Sequence, residues 1–395
     1  MDTINRKRRW VMLGVAYLCV LVYAIALQSV PPVLSLVMDE LRLSHAQGGL
    51  LMSLFALPGI FISIPAGLLA DRYGQRVIGL VAFGLTVAGT VIFATGSSLP
   101  ILAVGRVVAG TGAIALMVLG PQLLGQWFNE REIGMAMGIF NTGFLLGTVL
   151  TMNFLSIIGQ SLGWRVSIWL TAGVALAALI VFAIIFTSAP RRVQPAPSRP
   201  ESFLLGIRRA GTPIWLVGIA WLLFNAAMIS LFTFTPDLLK SNGFSIASAG
   251  LITSAIMWSS LATSLIAGFV IDRVGHKLTI IAVSSVLLAF LITLVPTTTG
   301  WILALMLAIG VCQTLIPVPV FALPPDVTSR ERLGLAFGIL SACLNLGILF
   351  GPATVGLIRD VTGSYQVSYL MMAGLAFLVA LVMPILRWAQ KHLPP

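Results

Sequence analysis

Charge is scarce in this sequence. Its 395 residues hold 23 basic and 12 acidic side chains, 9% of the chain, where a soluble protein carries about a quarter. Hydrophobic residues make up 58%, more apolar surface than so few charges can cover in water. A soluble enzyme, a nucleic-acid reader and a disordered scaffold are excluded as first readings. Cysteine is rare too. Cys19, Cys312 and Cys343 each lie in an apolar run without paired or metal-type spacing, and read as small buried hydrophobes. The three histidines, His45, His276 and His392, lie in loops or the tail, and none of the twelve acids sits centrally in an apolar run. A hydrolase in the membrane needs a nucleophile beside a base, and a proton-coupled carrier usually holds a buried titratable group. Neither set is visible. No catalytic residue, metal or cofactor is expected.

What the chain does have is long apolar runs. The first follows Arg6-Lys7-Arg8-Arg9 and extends from Trp10 to Val37. It is too long for a signal-peptide core and long enough to cross a bilayer of about 30 Å. Eleven more are placed near 46–70, 77–95, 99–125, 134–158, 166–187, 213–236, 246–271, 278–296, 301–325, 333–358 and 367–386. Lipid offers the backbone no hydrogen-bond partners, so each is read as a helix. Twelve spans put both termini on one side. With that side cytoplasmic, 18 basic residues fall inside and four (Arg42, Arg165, Lys240, Arg359) outside, while Arg106 falls within a span. The split follows the positive-inside rule. The net charge of +11 is thereby an orientation signal rather than a nucleic-acid footprint. A multi-pass protein, expected in a bacterial plasma membrane, results.

The chain also repeats. GLLADRYGQRV at 67–77 aligns with GFVIDRVGHKL at 268–278, and Gly134, Ala136, Gly138 and Ile139 align with Gly334, Ala336, Gly338 and Ile339. An offset of about half the chain implies a parallel two-fold repeat about the membrane normal. Residues 1–188 and 213–395 are expected as two six-helix bundles. Between them, 189–212 is rich in proline and arginine and reads as a cytoplasmic linker, whose end, 201–210, is either a short interfacial helix or a tether.

These segments carry a resemblance. Gly67-Leu-Leu-Ala-Asp71-Arg72-Tyr-Gly74-Gln-Arg76, its degenerate second copy, and Arg106-Val-Val-Ala-Gly110-Thr-Gly112 together resemble the loop and helix-4 signatures of the major facilitator superfamily. The resemblance covers nearly the whole chain and implies an all-α membrane fold of twelve helices in two pseudo-symmetric bundles. It also implies a latch on the cytoplasmic side, carried onto Gly67, Asp71, Arg72, Gly74 and Arg76; a purely topological role for these loop charges is the alternative. The branch stays open. Residues 126–143, QWFNEREIGMAMGIFNTG, are similar to branches handling cyanate, nitrate and carboxylates. Spans 2 and 8 lack the arginines of the nitrate branch, and the second half lacks the basic residues of the oxalate type. The Gly-Pro signature of drug antiporters is missing from span 5, while Gly351-Pro352 stands in span 11. Glycine pairs at 134/138, 143/147, 334/338 and 347/351 fit tight packing within one molecule better than a dimer face, so a monomer is expected.

In the superfamily, spans 1, 4, 7 and 10 line the cavity. Tyr23, Asn225 and Gln313 mark the midpoints of spans 1, 7 and 10, and Trp258 and Asn345 those of spans 8 and 11. Trp221 shares a helix face with Asn225, and Gln28 and Asn141 widen the set. Arg106, about 10 Å into span 4, is the lone charge inside a span. It either binds an anionic group or bonds backbone carbonyls to hold helices together. Each amide equally has a bland role, bonding a neighbouring helix. Pro317 and Pro319 interrupt span 10 beside Gln313 and free carbonyls there. The expectation is a secondary transporter of a small polar solute, an organic or inorganic anion, working by alternating access. A drug or organic-cation carrier with an aromatic-lined site and a non-transporting receptor on the same fold are the alternatives. The expected partners are the solute and the lipid bilayer.

Overall fold

The structure is a computed structural model that describes residues 3–62, 70, 73–129, 132–187, 211–328 and 333–391. The expected linker core, 189–210, lies outside the described residues, as do Gly67, Asp71 and Arg72. Among the described residues, twelve helices are long and apolar enough to cross a membrane: α1 (Arg8–Leu41), α2 (His45–Ile62), α3 (Gln75–Thr95), α4 (Leu99–Trp127), α5 (Ile133–Leu162), α6 (Trp164–Ile185), α7 (Thr212–Ser241), α8 (Ile246–Ser264), α9 (Lys277–Thr297), α10 (Ile302–Ala322), α11 (Leu335–Thr362) and α12 (Tyr365–Gln390). Among the described residues there is no strand.

Several spans are not continuous helices, and the sequence says why. In α1 the helix runs to Gln28, gives way to a 3-10 turn at Pro31–Val33 and resumes at Leu34. Pro31 and Pro32 have no N–H to offer the carbonyls one turn back. In α10 the helix stops at Thr314 and restarts at Pro317, the interruption that Pro317 and Pro319 predict. The break in α2 at Phe55-Ala56 likewise precedes Pro58, which has no N–H for the Leu54 carbonyl, whereas the π-turn over Thr151–Leu155 in α5 carries no proline signal.

The helices form two six-helix bundles whose packing repeats. α1 lies against α5 and α6 as α7 lies against α11 and α12, and α3 lies against α4 and α6 as α9 lies against α10 and α12. One pair breaks the symmetry. α1 packs closely along α4, whereas α7 meets α10 mainly through its last segment, Pro317–Ala322. Between bundles, α2 lies along α11 and α5 meets α8. Glycine permits both approaches: a Cβ on Gly49 would fall 2.1 Å from the Pro352 carbonyl oxygen, and one on Gly250 would fall 2.4 Å from that of Met152. Gly143 and Gly147 face α1, and Gly347 faces α7, so these glycines serve packing within the molecule. Gly134, Gly138 and Gly338 have open space around them.

Candidate functional site

Arg106 is 2% exposed, and its surroundings explain how a guanidinium tolerates that depth. Nε donates to the Leu51 carbonyl at 2.9 Å, Nη1 to that of Ala26 at 2.9 Å, and Nη2 to that of Leu27 at 3.1 Å. Ala26 and Leu27 end the first half of α1, and Leu51 lies in the last turn of the helical stretch His45–Leu54. Pro31 cannot satisfy the Leu27 carbonyl, so that oxygen is free for the arginine. Helix C-terminal ends carry partial negative charge. Arg106 therefore acts as a built-in cation at two half-helix ends, with the Phe55 ring 4.5 Å from its guanidinium carbon. At the equivalent place in the second bundle stands Met306, buried and uncharged, and there α10 is free to stand off from α7.

The remaining candidates form two groups. In the first bundle the Tyr23 ring lies between Phe55 and Phe144, at 6.2 and 6.1 Å. Asn141 is exposed on α5, one turn before Phe144 on the same helix face. In the second bundle Trp221 stacks on Phe224 at 5.4 Å and meets Phe321 edge-on at 5.1 Å. Asn225 Nδ2 donates to the Trp221 carbonyl at 2.7 Å, which leaves its Oδ1 without a hydrogen in that bond. Gln313, at the break of α10, donates to Ser260 Oγ of α8 at 2.6 Å. Asn345 donates to the Ser341 carbonyl at 2.9 Å, and its Oδ1 lies against Gly59 of the other bundle, where a Cβ would fall 2.2 Å away.

Not every candidate joins these groups. Gln28 is fully buried, and both ends of its amide are without a hydrogen-bond partner. Trp258 is half exposed on an apolar stripe with Leu251 and Ile266, and no described bond or ring contact joins it to another candidate. Gly74 takes a φ of 87°, a turn conformation suited to glycine. Arg76 donates to the Ala183 carbonyl at 3.0 Å, a contact inside the first bundle. Residue-type reasoning passed over Phe144, Phe224, Phe321 and Ser260. Of these, Phe224 carried a usable signal, its spacing of three from Trp221 on one helix.

Two six-helix bundles in pseudo-symmetric packing, with broken helices and a buried arginine clamped on the ends of two of them, have the architecture of a polytopic carrier rather than of an enzyme. The chain belongs to the Major Facilitator Superfamily, whose family model matches residues 16–246 and 231–395. It is similar to the nitrite extrusion protein of Bacillus subtilis, 23% identical over 355 residues that cover 89% of this chain and 88% of that one. It is similar also to the hexuronate transporter of the same organism, 26% identical, covering 87% and 86%. Among solved structures, the nucleoside transporter NupG shares the fold with a TM-score of 0.80 at 15% identity, covering 96% of this chain and 99% of that one. The chain is a multi-pass membrane protein of a family of transporters that bind small molecules within the membrane.

Proposed function

We propose that the protein is a secondary transporter of a small organic or inorganic anion, working by alternating access through a site between the bundles at mid-depth. The observation that carries this reading is the placing of hydrogen-bonding amides and aromatic faces beside broken helices. Asn225 and Gln313 stand with Trp221, Phe224 and Phe321 next to the break in α10, and Tyr23 with Phe144 lies across the pseudo-symmetry axis. Discontinuous helices at the repeat interface are where secondary transporters bind. The relatives named for nitrite and hexuronate support an anionic solute. Tyr23, Asn141, Trp221, Asn225, Gln313 and Asn345 are assigned to the solute. Arg106 supports them from behind, because its donors are bound to α1 and α2. Residues 1–188 and 213–395 move as the two bodies, joined by 189–212, in a monomer.

A thermal-shift screen of purified protein tests this with nitrite, nitrate, uronates and small carboxylates, followed by counterflow in proteoliposomes. One of these anions is expected to raise the unfolding temperature. Asn225→Ala and Gln313→Ala are expected to weaken its binding about tenfold each, the loss of one hydrogen bond to a charged partner. An unchanged shift in both variants overturns the site; a cation or neutral solute as the best ligand overturns the substrate class.

A further inference from the structure

The bundle ends remote from the termini hold a cluster of titratable groups that the solute site does not use. His45 is the first residue of α2, after Ser44, whose hydroxyl caps the helix in a reciprocal pair with Gln47. Facing it from the second bundle are Asp237 of α7, Arg359 and Asp360 of α11, and Tyr365 of α12. Asp360 accepts the His45 backbone N–H at 2.9 Å and the Ala46 N–H at 2.7 Å. A carboxylate of one bundle thus caps the helix of the other, in the favourable polarity for a helix start. The two backbones meet so closely that a Cβ on Gly356 would fall 2.2 Å from the His45 carbonyl oxygen.

The imidazole itself is the informative part. Nδ1 lies 3.0 Å from Asp360 Oδ1, and Nε2 lies 3.3 Å from Asp237 Oδ2 and 3.4 Å from Tyr365 Oη. Tyr365 has one hydroxyl proton and donates it to Asp237. Both ring nitrogens therefore face acceptor oxygens. A neutral imidazole has a single N–H and a lone pair, whereas the imidazolium has an N–H at each nitrogen. Only the protonated ring satisfies both sides. Arg359 holds its guanidinium carbon 4.3 Å over the Tyr365 ring, and its positive charge opposes the imidazolium while the two carboxylates favour it. Two other acids at this end have partners of their own, Asp39 with Lys240 at 2.6 Å between α1 and α7 and Glu40 with Arg165 inside the first bundle. The His45 and Asp360 side chains are 27% and 25% exposed, enough for water to deliver a proton.

We propose that His45, between Asp237 and Asp360, is a proton-binding site that locks the two bundles together at the end remote from the termini. The site takes its proton from the solution on that side and returns it there. The conformer closed at that end holds one more proton than the open one, so acid favours closure and alkali loosens it. The inference rests on alternating access, because it needs a conformer in which this end is open.

The test is a distance measurement between spin labels at exposed Ser161 and Asn242, one in each bundle, on the full chain in nanodiscs with its three native cysteines replaced by serine. Wild type is expected to show a short and a long distance. Their ratio should shift toward the long one about tenfold between about pH 5.5 and about pH 8, the histidine range. His45→Gln is expected to flatten that profile. Asp237→Asn, which removes one ionic partner and leaves the ring in place, should flatten it partly. A pH-independent wild-type ratio, or an unchanged profile in His45→Gln, overturns the proton site and leaves the transport reading standing. A single distance at every pH in all three proteins overturns alternating access, and the proton site with it.

Discussion

A buried guanidinium costs about 3 kcal/mol or more to place inside a bilayer, so its partners must return that much. Arg106 finds three backbone carbonyls, from Ala26, Leu27 and Leu51, near two helix ends, where Ala26 also accepts from the Ser29 hydroxyl and Leu27 loses its usual donor to Pro31. The arginine and the broken helices need one another. Arg106→Gln is expected to lower the unfolding free energy by about 1–3 kcal/mol, the cost of leaving buried carbonyls without a donor, seen as a fall in the thermal midpoint of the purified protein. Arg106→Lys should fall nearly as far, because a point charge on a flexible stem cannot span three carbonyls in a planar fork. A midpoint unchanged in both, together with weakened anion binding, would instead assign the guanidinium to the solute.

Helices in this protein act through their discontinuities and their close approaches. α2 runs beside α11 from His45 to Gly59, about 20 Å at about 1.5 Å per residue, and the contact depends on backbone meeting backbone at Gly49 and Pro352. A side chain there wedges the bundles apart. Gly49→Val is expected to cost the closed conformer about 1–3 kcal/mol, and so to raise the long-distance population in the Ser161–Asn242 measurement at every pH. A population identical to wild type would show that this seam does not govern closure. The π-turn of α5 at Thr151–Leu155 adjoins the corresponding seam, since Met152 and Ser156 are the residues that press on Gly250 of α8. A π-turn widens a helix locally and is common where helices meet for a purpose.

At the scale of the whole molecule, twelve spans return the chain to the side on which it began, and the basic residues crowd that side. If charge sets the orientation, a reporter active only in the cytoplasm should work when fused after Pro395 and fail when inserted at Asn242. Equal activity at both places would refute the assigned topology. The proposed solute groups lie apart from the His45 cluster, which stands at the rim opposite the termini, so solute binding and proton binding are expected to be separable by mutation.

Composition and repeat spacing were sufficient for twelve helices and two halves, because lipid imposes helix on any long apolar run and a duplicated chain keeps its glycine and charge marks, while the superfamily was reached through the likeness of the motifs at 67–76 and 106–112. The break in α10 was legible as well, since Pro317 and Pro319 remove donors there, while the break in α1 at Pro31-Pro32 was passed over. Which candidate touches which was not legible. Helical spacing gives a face but not a neighbour, so nothing in the sequence tied Gln313 to Ser260, spent Arg106 on α1 and α2, or left Trp258 on an apolar stripe apart from the rest. His45 read as a loop histidine because its partners lie about two hundred and three hundred residues away; the folding of α7 and α11 against α2 brings two carboxylates to its ring. Contacts of that range are set by how helices pack, and only the tertiary structure decides them.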